Sequence, residues 1–196
     1  MKRTFDFSLA LVTIVALFPL FILIALLIVS DSRGGVFYKQ TRVGKNKINF
    51  YIYKFRTMVI EPYNANLLTI GDRDPRITRL GYWLRKYKID ELPQLVNILK
   101  GEMSFVGPRP EVKKYVDLYN QEQQRVFSVK PGITDWASIR FCGESKLLAS
   151  ARDPETYYIN EIIPLKISHS LQYIDHHDLW IDLKIILLTL QRIIKN

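Results

Sequence analysis

Cysteine and histidine are scarce in this chain of 196 residues. Cys142 is the single cysteine, so no intrachain disulfide can form, which fits a reducing compartment. The three histidines, His169, His176 and His177, have no cysteine partners at zinc-finger spacing, which argues against a structural zinc site. Glycine motifs that cradle nucleotides are missing too: there is no G-x-x-x-x-G-K-[ST] and no G-x-G-x-x-G. Neither G-x-S-x-G nor H-E-x-x-H occurs. A P-loop ATPase, a Rossmann dehydrogenase, an α/β-hydrolase and a zincin all lose support. Internal repeats and low-complexity linkers are also absent, and the length suits one hydrophobic core without staples.

Positive charge is present in excess, and it is unevenly placed. The net charge is +9, of which residues 31–110 contribute 15 Lys/Arg against 7 Asp/Glu, while residues 111–196 balance at 11 of each. A basic block directly after an apolar one points to anionic lipid headgroups or phosphates, with nucleic acid as the competing partner.

The apolar block is Phe7 to Val29, 23 residues with no charge and only Ser8 and Thr13 polar. A straight helix of that length measures roughly 35 Å, enough to cross a bilayer core. It is too long for the apolar region of a signal peptide and no A-x-A site follows it, so it reads as a membrane segment. Lys2 and Arg3 precede it, while Arg33, Lys39, Arg42, Lys45 and Lys47 follow. Both flanks therefore favour the cytoplasm. Pro19 lies near the middle and kinks a helix by removing a donor. Two arrangements satisfy these residues: a helix that bends near Phe18-Pro19 and leaves by the face it entered, and an ordinary kinked spanning helix.

Beyond it, Val36 to Tyr38 and Phe50 to Lys54 have strand character around a turn at Gly44 to Asn46, which predicts a hairpin. Glu61 to Pro75 reads as loop. Arg79 to Lys88 predicts a short helix with Leu80, Trp83, Leu84 and Tyr87 on one face and basic residues on the other, suited to a membrane interface or to packing on the core. Pro93 to Leu99 predicts a helix stopped by Gly101, and Glu111 to Phe127 a polar one. Asp178 to Lys195 predicts a helix with a Trp180, Leu183, Leu187, Leu190, Ile194 stripe, deeply buried or lying on the membrane.

Three places could carry chemistry. Asp90-Glu91 stands just before Pro93, where an Asp is often only a helix cap, but where two carboxylates can also hold a divalent cation or supply a nucleophile. Pro108 and Pro110 stiffen the backbone around Arg109, which suits a bidentate phosphate clamp or equally a rigid loop with a solvated arginine. Lys54 and Arg56 end a predicted strand and offer two more phosphate donors, or a solvated strand edge.

Taken in order, these stretches resemble the bacterial sugar transferases, the small monotopic phosphoglycosyl transferases. The matching segments are K-R-T-F-D at 2–6, V-F-Y-K-Q at 36–40 with R-V-G at 42–44, K-F-R-T-M at 54–58, D-P-R-I-T at 74–78 with Gly81, D-E-L-P-Q at 90–94, L-K-G-E-M-S at 99–104, V-G-P-R-P at 106–110, K-P-G-I-T at 130–134 and D-L-K-I at 182–185. The resemblance covers nearly the whole chain. It departs at Phe18, where the family often has serine before the proline, at Ser32 to Gly35, and at Asp135 and Ser138 in a stretch placed near the sugar nucleotide.

The resemblance implies transfer of a sugar 1-phosphate from a nucleoside-diphosphate sugar, UDP-linked in most members, to polyprenyl phosphate, with release of UMP. It makes Asp90 the nucleophile, forming a covalent aspartyl-phosphate sugar, and Glu91 its partner in binding Mg2+ or moving a proton. It gives Arg109, between Pro108 and Pro110, a phosphate-binding role, with Lys54 and Arg56 as weaker diphosphate contacts. Pro19 becomes the kink of a re-entrant helix. The expected fold is mixed α/β and mainly helical: a membrane-anchoring helix over 1–31, then a catalytic domain over 32–196 with a short β-hairpin and interfacial amphipathic helices. The expected location is the cytoplasmic face of the bacterial inner membrane, among membrane lipids and without nucleic acid; a homo-oligomer is left open. The competing reading is a membrane-tethered basic binding or scaffold protein without catalysis, which the intact Asp90-Glu91 dyad disfavours.

Overall fold

The computed structural model describes residues 1–59, 68–71, 74–141 and 143–195. Cys142 and most of the loop expected over 61–75 lie outside the described residues. The fold is mainly helical with two small sheets.

Helix α1 runs from Lys2 to Asp31 without a break at Pro19. It packs lengthwise through one stripe. Asp6, Ala10, Ile24 and Ile28 are buried, while Val12, Val15, Phe18, Leu23 and Leu26 on the other side are exposed. The spacing of the stripe is helical, and each buried aliphatic side chain contributes about 1.5–3 kcal/mol.

Strands β1 (Phe37–Val43) and β2 (Asn49–Phe55) form the expected antiparallel hairpin, with Phe37 opposite Phe55. Asn46 and Lys47 take left-handed backbone angles in the turn, the conformation that closes tight hairpins.

Helix α2 (Arg79–Lys86) is capped by Thr78, whose hydroxyl accepts from the Gly81 N–H at 3.0 Å. Leu84 packs with Ile24, Ile28 and Phe55, joining α2 and β2 to the second half of α1. The expected separation of aromatic and basic faces does not hold. Trp83 and Tyr87 are exposed, and the Lys86 ammonium sits over both rings, so aromatic and basic groups share the outer face.

Helix α3 (Gln94–Lys100) ends where expected, at Gly101 with φ of 84°. Leu95 and Ile98 pack against Ala10, Phe50 and Ile52. Asn97 fixes α3 to β2: its Oδ1 accepts from Tyr53 N at 3.1 Å and its Nδ2 donates to Tyr51 O at 2.7 Å.

Strands β3 (Ser104–Val106) and β4 (Gly132–Thr134) pair in parallel. The chains then approach so closely that a Cβ on Gly132 would lie 2.2 Å from Gly107 N.

The helix expected over 111–127 is broken. Helix α4 covers only Lys113–Val116, and a tighter turn follows at Gln123–Ser128. Asn120 and Gln123 exchange backbone-to-side-chain hydrogen bonds at 2.9 Å, a reciprocal cap that starts a new turn.

Four short or medium helices follow: α5 (Trp136–Arg140), α6 (Glu144–Ser150), α7 (Pro154–Tyr157) and α8 (Ile163–His176). The last, α9 (Leu179–Lys195), matches its expected span, and of the two expected settings for its stripe the deeply buried one does not hold. Asp182 and Ile185 are buried, whereas Trp180, Leu187, Leu190 and Ile194 are exposed.

Both ends of α1 are held by the rest of the chain. At the start, Lys2 pairs with buried Asp182, which also accepts from Tyr173 Oη at 2.6 Å. Arg3 donates to Leu99 O at 2.9 Å. At the far end, Arg56 closes the helix. Its Nε donates to Gly35 O, its Nη1 to Ser32 Oγ and Arg33 O, and its Nη2 to Ile28 O, Ser32 O and Gly34 O. A cation over the free carbonyls of a helix C-terminus meets both their hydrogen-bonding need and the helix dipole.

Candidate active site

The site is built on a single tight turn, Ile89–Glu91, which leads directly into α3. Lys88 enters it with φ of 56°, and this reversal aims the two carboxylates inward. Asp90 and Glu91 are both buried, each 6% exposed. Asp90 does not cap α3: the capping position is Pro93 and no side-chain cap bond forms there.

Glu91 gathers two cations from distant parts of the chain. Lys54 Nζ, from β2, lies 2.8 Å from Oε1. Arg109 meets the same oxygen through Nη2 at 2.6 Å and reaches Oε2 through Nη1 at 3.3 Å. Arg109 keeps 36% of its side-chain surface open, so it can still receive a ligand. Pro108 O accepts from Gly132 N at 3.0 Å and Pro110 O from Arg42 Nη1 at 3.1 Å. The carbonyls on both sides of Arg109 are therefore pinned.

A second layer lies behind this loop. Arg42 pairs with Glu111 at 2.7 Å, and Tyr158 Oη donates to the other carboxylate oxygen at 2.5 Å. Burial pushes the Tyr158 phenol well up, and Glu111 beside it adds to this. Beside Arg109 is a cavity of about 30 Å³ lined by Pro108, Glu111, Asp135, Lys166 and Ser170. Asp135 caps α5 by accepting from Ser138 N at 2.7 Å.

The two carboxylates differ electrostatically. Burial raises Asp90, and the neighbouring Glu91 charge raises it further against the pull of Lys54. Burial would raise Glu91 as well, but Arg109 and Lys54 together hold it well below the usual range. Burial lowers Lys54, and Arg109 adds to this against Glu91. Glu91 raises Arg109, which stays charged.

Asp90, Glu91, Lys54, Arg109, Pro108 and Pro110 are thus brought together, as expected. Arg56 is not. The N–H groups of its guanidinium are committed to residues 28–35, so it is a structural cap rather than a diphosphate contact. Pro19 lies within α1. Sequence reasoning missed Arg42, Glu111 and Tyr158. Arg42 belongs to a matched stretch and Glu111 flanks one, so both carried a signal, but Tyr158 carries no local one.

For a divalent cation, the fit is limited but real. Among the described residues no group of three or more His, Cys, Asp and Glu gathers in one place. Asp90 Oδ1, however, is buried with no hydrogen-bond partner. One or two carboxylates plus substrate phosphates and water is the set Mg2+ accepts, and it is a poor set for zinc.

A buried carboxylate with one open oxygen thus lies beside two cations held on its neighbour. A family model for bacterial sugar transferases matches residues 1–196. The chain belongs to that family. It is 38% identical over 198 residues to an undecaprenyl-phosphate glucose phosphotransferase of Komagataeibacter xylinus, covering 97% of this chain and 35% of that protein. It is 37% identical to a UDP-N-acetylgalactosamine-undecaprenyl-phosphate N-acetylgalactosaminephosphotransferase of Aeromonas hydrophila, covering 98% and 43%. It is also 37% identical to the uncharacterized sugar transferase EpsL of Bacillus subtilis, covering 99% and 87%. The chain therefore spans less than half the length of the first two relatives and most of the third.

Proposed function

We propose that the protein transfers a sugar 1-phosphate from a UDP-sugar to polyprenyl phosphate, releasing UMP, as the first membrane step of assembling a glycan such as a capsule, exopolysaccharide, O-antigen or glycoprotein. The observation that carries this reading is the open Oδ1 of buried Asp90 beside the Lys54–Glu91–Arg109 cluster. The names of the relatives support the acceptor and the reaction class.

In this reading a carboxylate oxygen of Asp90 attacks the phosphorus that bears the sugar. A new O–P bond forms, the bond to the bridging oxygen breaks, and its electron pair leaves with UMP. An oxygen of polyprenyl phosphate then attacks the same phosphorus, and the bond to Asp90 breaks to restore the carboxylate. Asp90 needs no base, because it acts as the anion. Glu91, held ionised, serves as the anchor that fixes Lys54 and Arg109 toward the diphosphate rather than as a proton carrier. Fixed positive charge of this kind offsets the repulsion between carboxylate and diphosphate. Mg2+ on Asp90 and Glu91 would supply further neutralisation when bound.

The acceptor phosphate lies at headgroup depth, and α1 accounts for how the site is kept there. Its exposed apolar side suits lipid, and both of its ends are tied to the same body through Asp182 and Arg56. That supports an anchor over 1–31 embedded from one face, with catalysis carried by 32–196 on the cytoplasmic side of the inner membrane. The basic binding or scaffold reading gains no observation of its own. The test is a panel of nucleotide sugars scored for UMP release with polyprenyl phosphate present. Release with at least one UDP-sugar is expected; release with none overturns the reading.

A further inference from the structure

Among the described residues, three buried side-chain atoms lack any hydrogen-bond partner: Asp90 Oδ1, Gln94 Nε2 and Ser104 Oγ. The first two lie in consecutive elements. Gln94 opens α3, four residues after Asp90, and the stretch between them is wound tightly by bonds from Leu92 N to Ile89 O and from Leu95 N to Leu92 O. Gln94 is 1% exposed. A donor without an acceptor and an acceptor without a donor therefore lie within about one turn, and no hydrogen bond joins them.

Neighbouring Asn97 shows what a satisfied amide does on this helix. It bonds Tyr53 N, Tyr51 O and Glu102 Oε2, and so fixes α3 to β2. Gln94 makes no such bond. A buried amide donor left unmet destabilises a fold, and its presence beside an unmet carboxylate oxygen calls for a ligand that completes both. A phosphoryl group has that chemistry: its phosphorus takes the carboxylate oxygen, and its non-bridging oxygens only accept hydrogen bonds. The nearby cations are already bonded to Glu91, which leaves the neutral amide as a further donor.

We infer that Gln94 is a further catalytic residue, its side-chain amide donating to a non-bridging oxygen of the phosphoryl group while that group is held at Asp90. The inference rests on the transfer reading above. A neutral donor stabilises the charge on that oxygen without moving a proton, and it serves both the attack by Asp90 and the attack by the lipid phosphate.

The test combines turnover with thermal melting of the full chain in detergent, using UDP-sugar and polyprenyl phosphate. Gln94→Met keeps the length and removes the donor. Its kcat should fall by about 10²–10³-fold, the loss typical of one such donor. Its KM for the nucleotide sugar should stay within about threefold. Its Tm should rise by about 2–8 °C, because an unmet buried donor has gone. A merely structural glutamine predicts the opposite movement of Tm. Gln94→Glu keeps the shape and replaces the donor with a negative charge, so its kcat should fall at least as far; it decides the matter if the methionine variant does not fold. Wild-type kcat in either folded variant overturns the inference, as does a Tm that falls together with kcat in Gln94→Met. An inactive Asp90→Asn beside a fully active Gln94→Met sinks this inference alone, whereas an active Asp90→Asn sinks the transfer reading and this inference with it.

Discussion

Asp90 presents a carboxylate oxygen with no partner, while Glu91, the next residue, meets both Lys54 and Arg109 at one oxygen, at 2.8 and 2.6 Å, and Arg109 again at the other, at 3.3 Å. In the proposed reaction the pair divides two tasks. Glu91 is held by two cations, and buried Asp90 keeps one oxygen open for attack.

Glu91→Gln removes the charge that both cations face. Truncating one partner of a buried ion pair costs about 3–5 kcal/mol, and the partial exposure of Lys54 and Arg109 brings the expected loss to about 2–4 kcal/mol. Chemical denaturation reads that loss, and turnover should fall with it. A variant of wild-type stability would show that Glu91 does not anchor the cluster.

The pH profile of kcat/KM should be narrow on both sides. Asp90 acts ionised, and burial raises it, so activity falls with acid at a pH above the ordinary aspartate value of about 3.9. Lys54 acts charged, and burial lowers it, so activity falls with base below the ordinary lysine value of about 10.4. Lys54→Arg should move the alkaline limb upward and leave the acid limb in place. Stability follows the same linkage: Asp90 binds its proton more tightly when folded, so its contribution is present below the unfolded pKa and lost as pH rises through the folded one. Asp90→Asn should flatten that part of the stability curve.

Arg56→Lys should act on stability and not on the nucleotide sugar. Arg56 is 5% exposed and bonds the carbonyls that end α1. A lysine cannot reproduce that planar fork, and a loss of about 2–4 kcal/mol is expected. The KM for the nucleotide sugar should be unchanged in the folded fraction. A selective rise in KM would return Arg56 to the substrate.

The ends of α1 should report from one side. With Cys142 replaced by serine, single cysteines at the exposed positions Thr4 and Ser30 should both react with an impermeant maleimide in inverted membrane vesicles and neither in intact spheroplasts. One end labelled from each side would establish a spanning helix.

Much of this arrangement is legible in the sequence where the signal is local. Gly101 stops α3 and the turn at Gly44 to Asn46 closes the hairpin because backbone chemistry at those residues allows little else. Lys54, Arg109 and the dyad announce themselves by residue type and stiff neighbours. Arg56 was misread because a basic residue beside a motif looks the same whether it meets a phosphate or the carbonyls of a helix end. The setting of the α9 stripe was left open for a related reason. Periodicity marks an apolar face, but not whether protein covers it, and in α9 the packed face is the one with Asp182 and Ile185. Arg42, Glu111 and Tyr158 depend on contacts between residues 47 or more positions apart, which no local pattern encodes.

The nucleophile assignment can be tested directly by intact-mass and peptide analysis of the protein incubated with its UDP-sugar and no lipid acceptor. The account predicts a mass increase of one sugar phosphate on the peptide carrying Asp90, its loss on addition of polyprenyl phosphate, and no adduct in Asp90→Asn. Continued turnover by Asp90→Asn, or an adduct on a different residue, would contradict it.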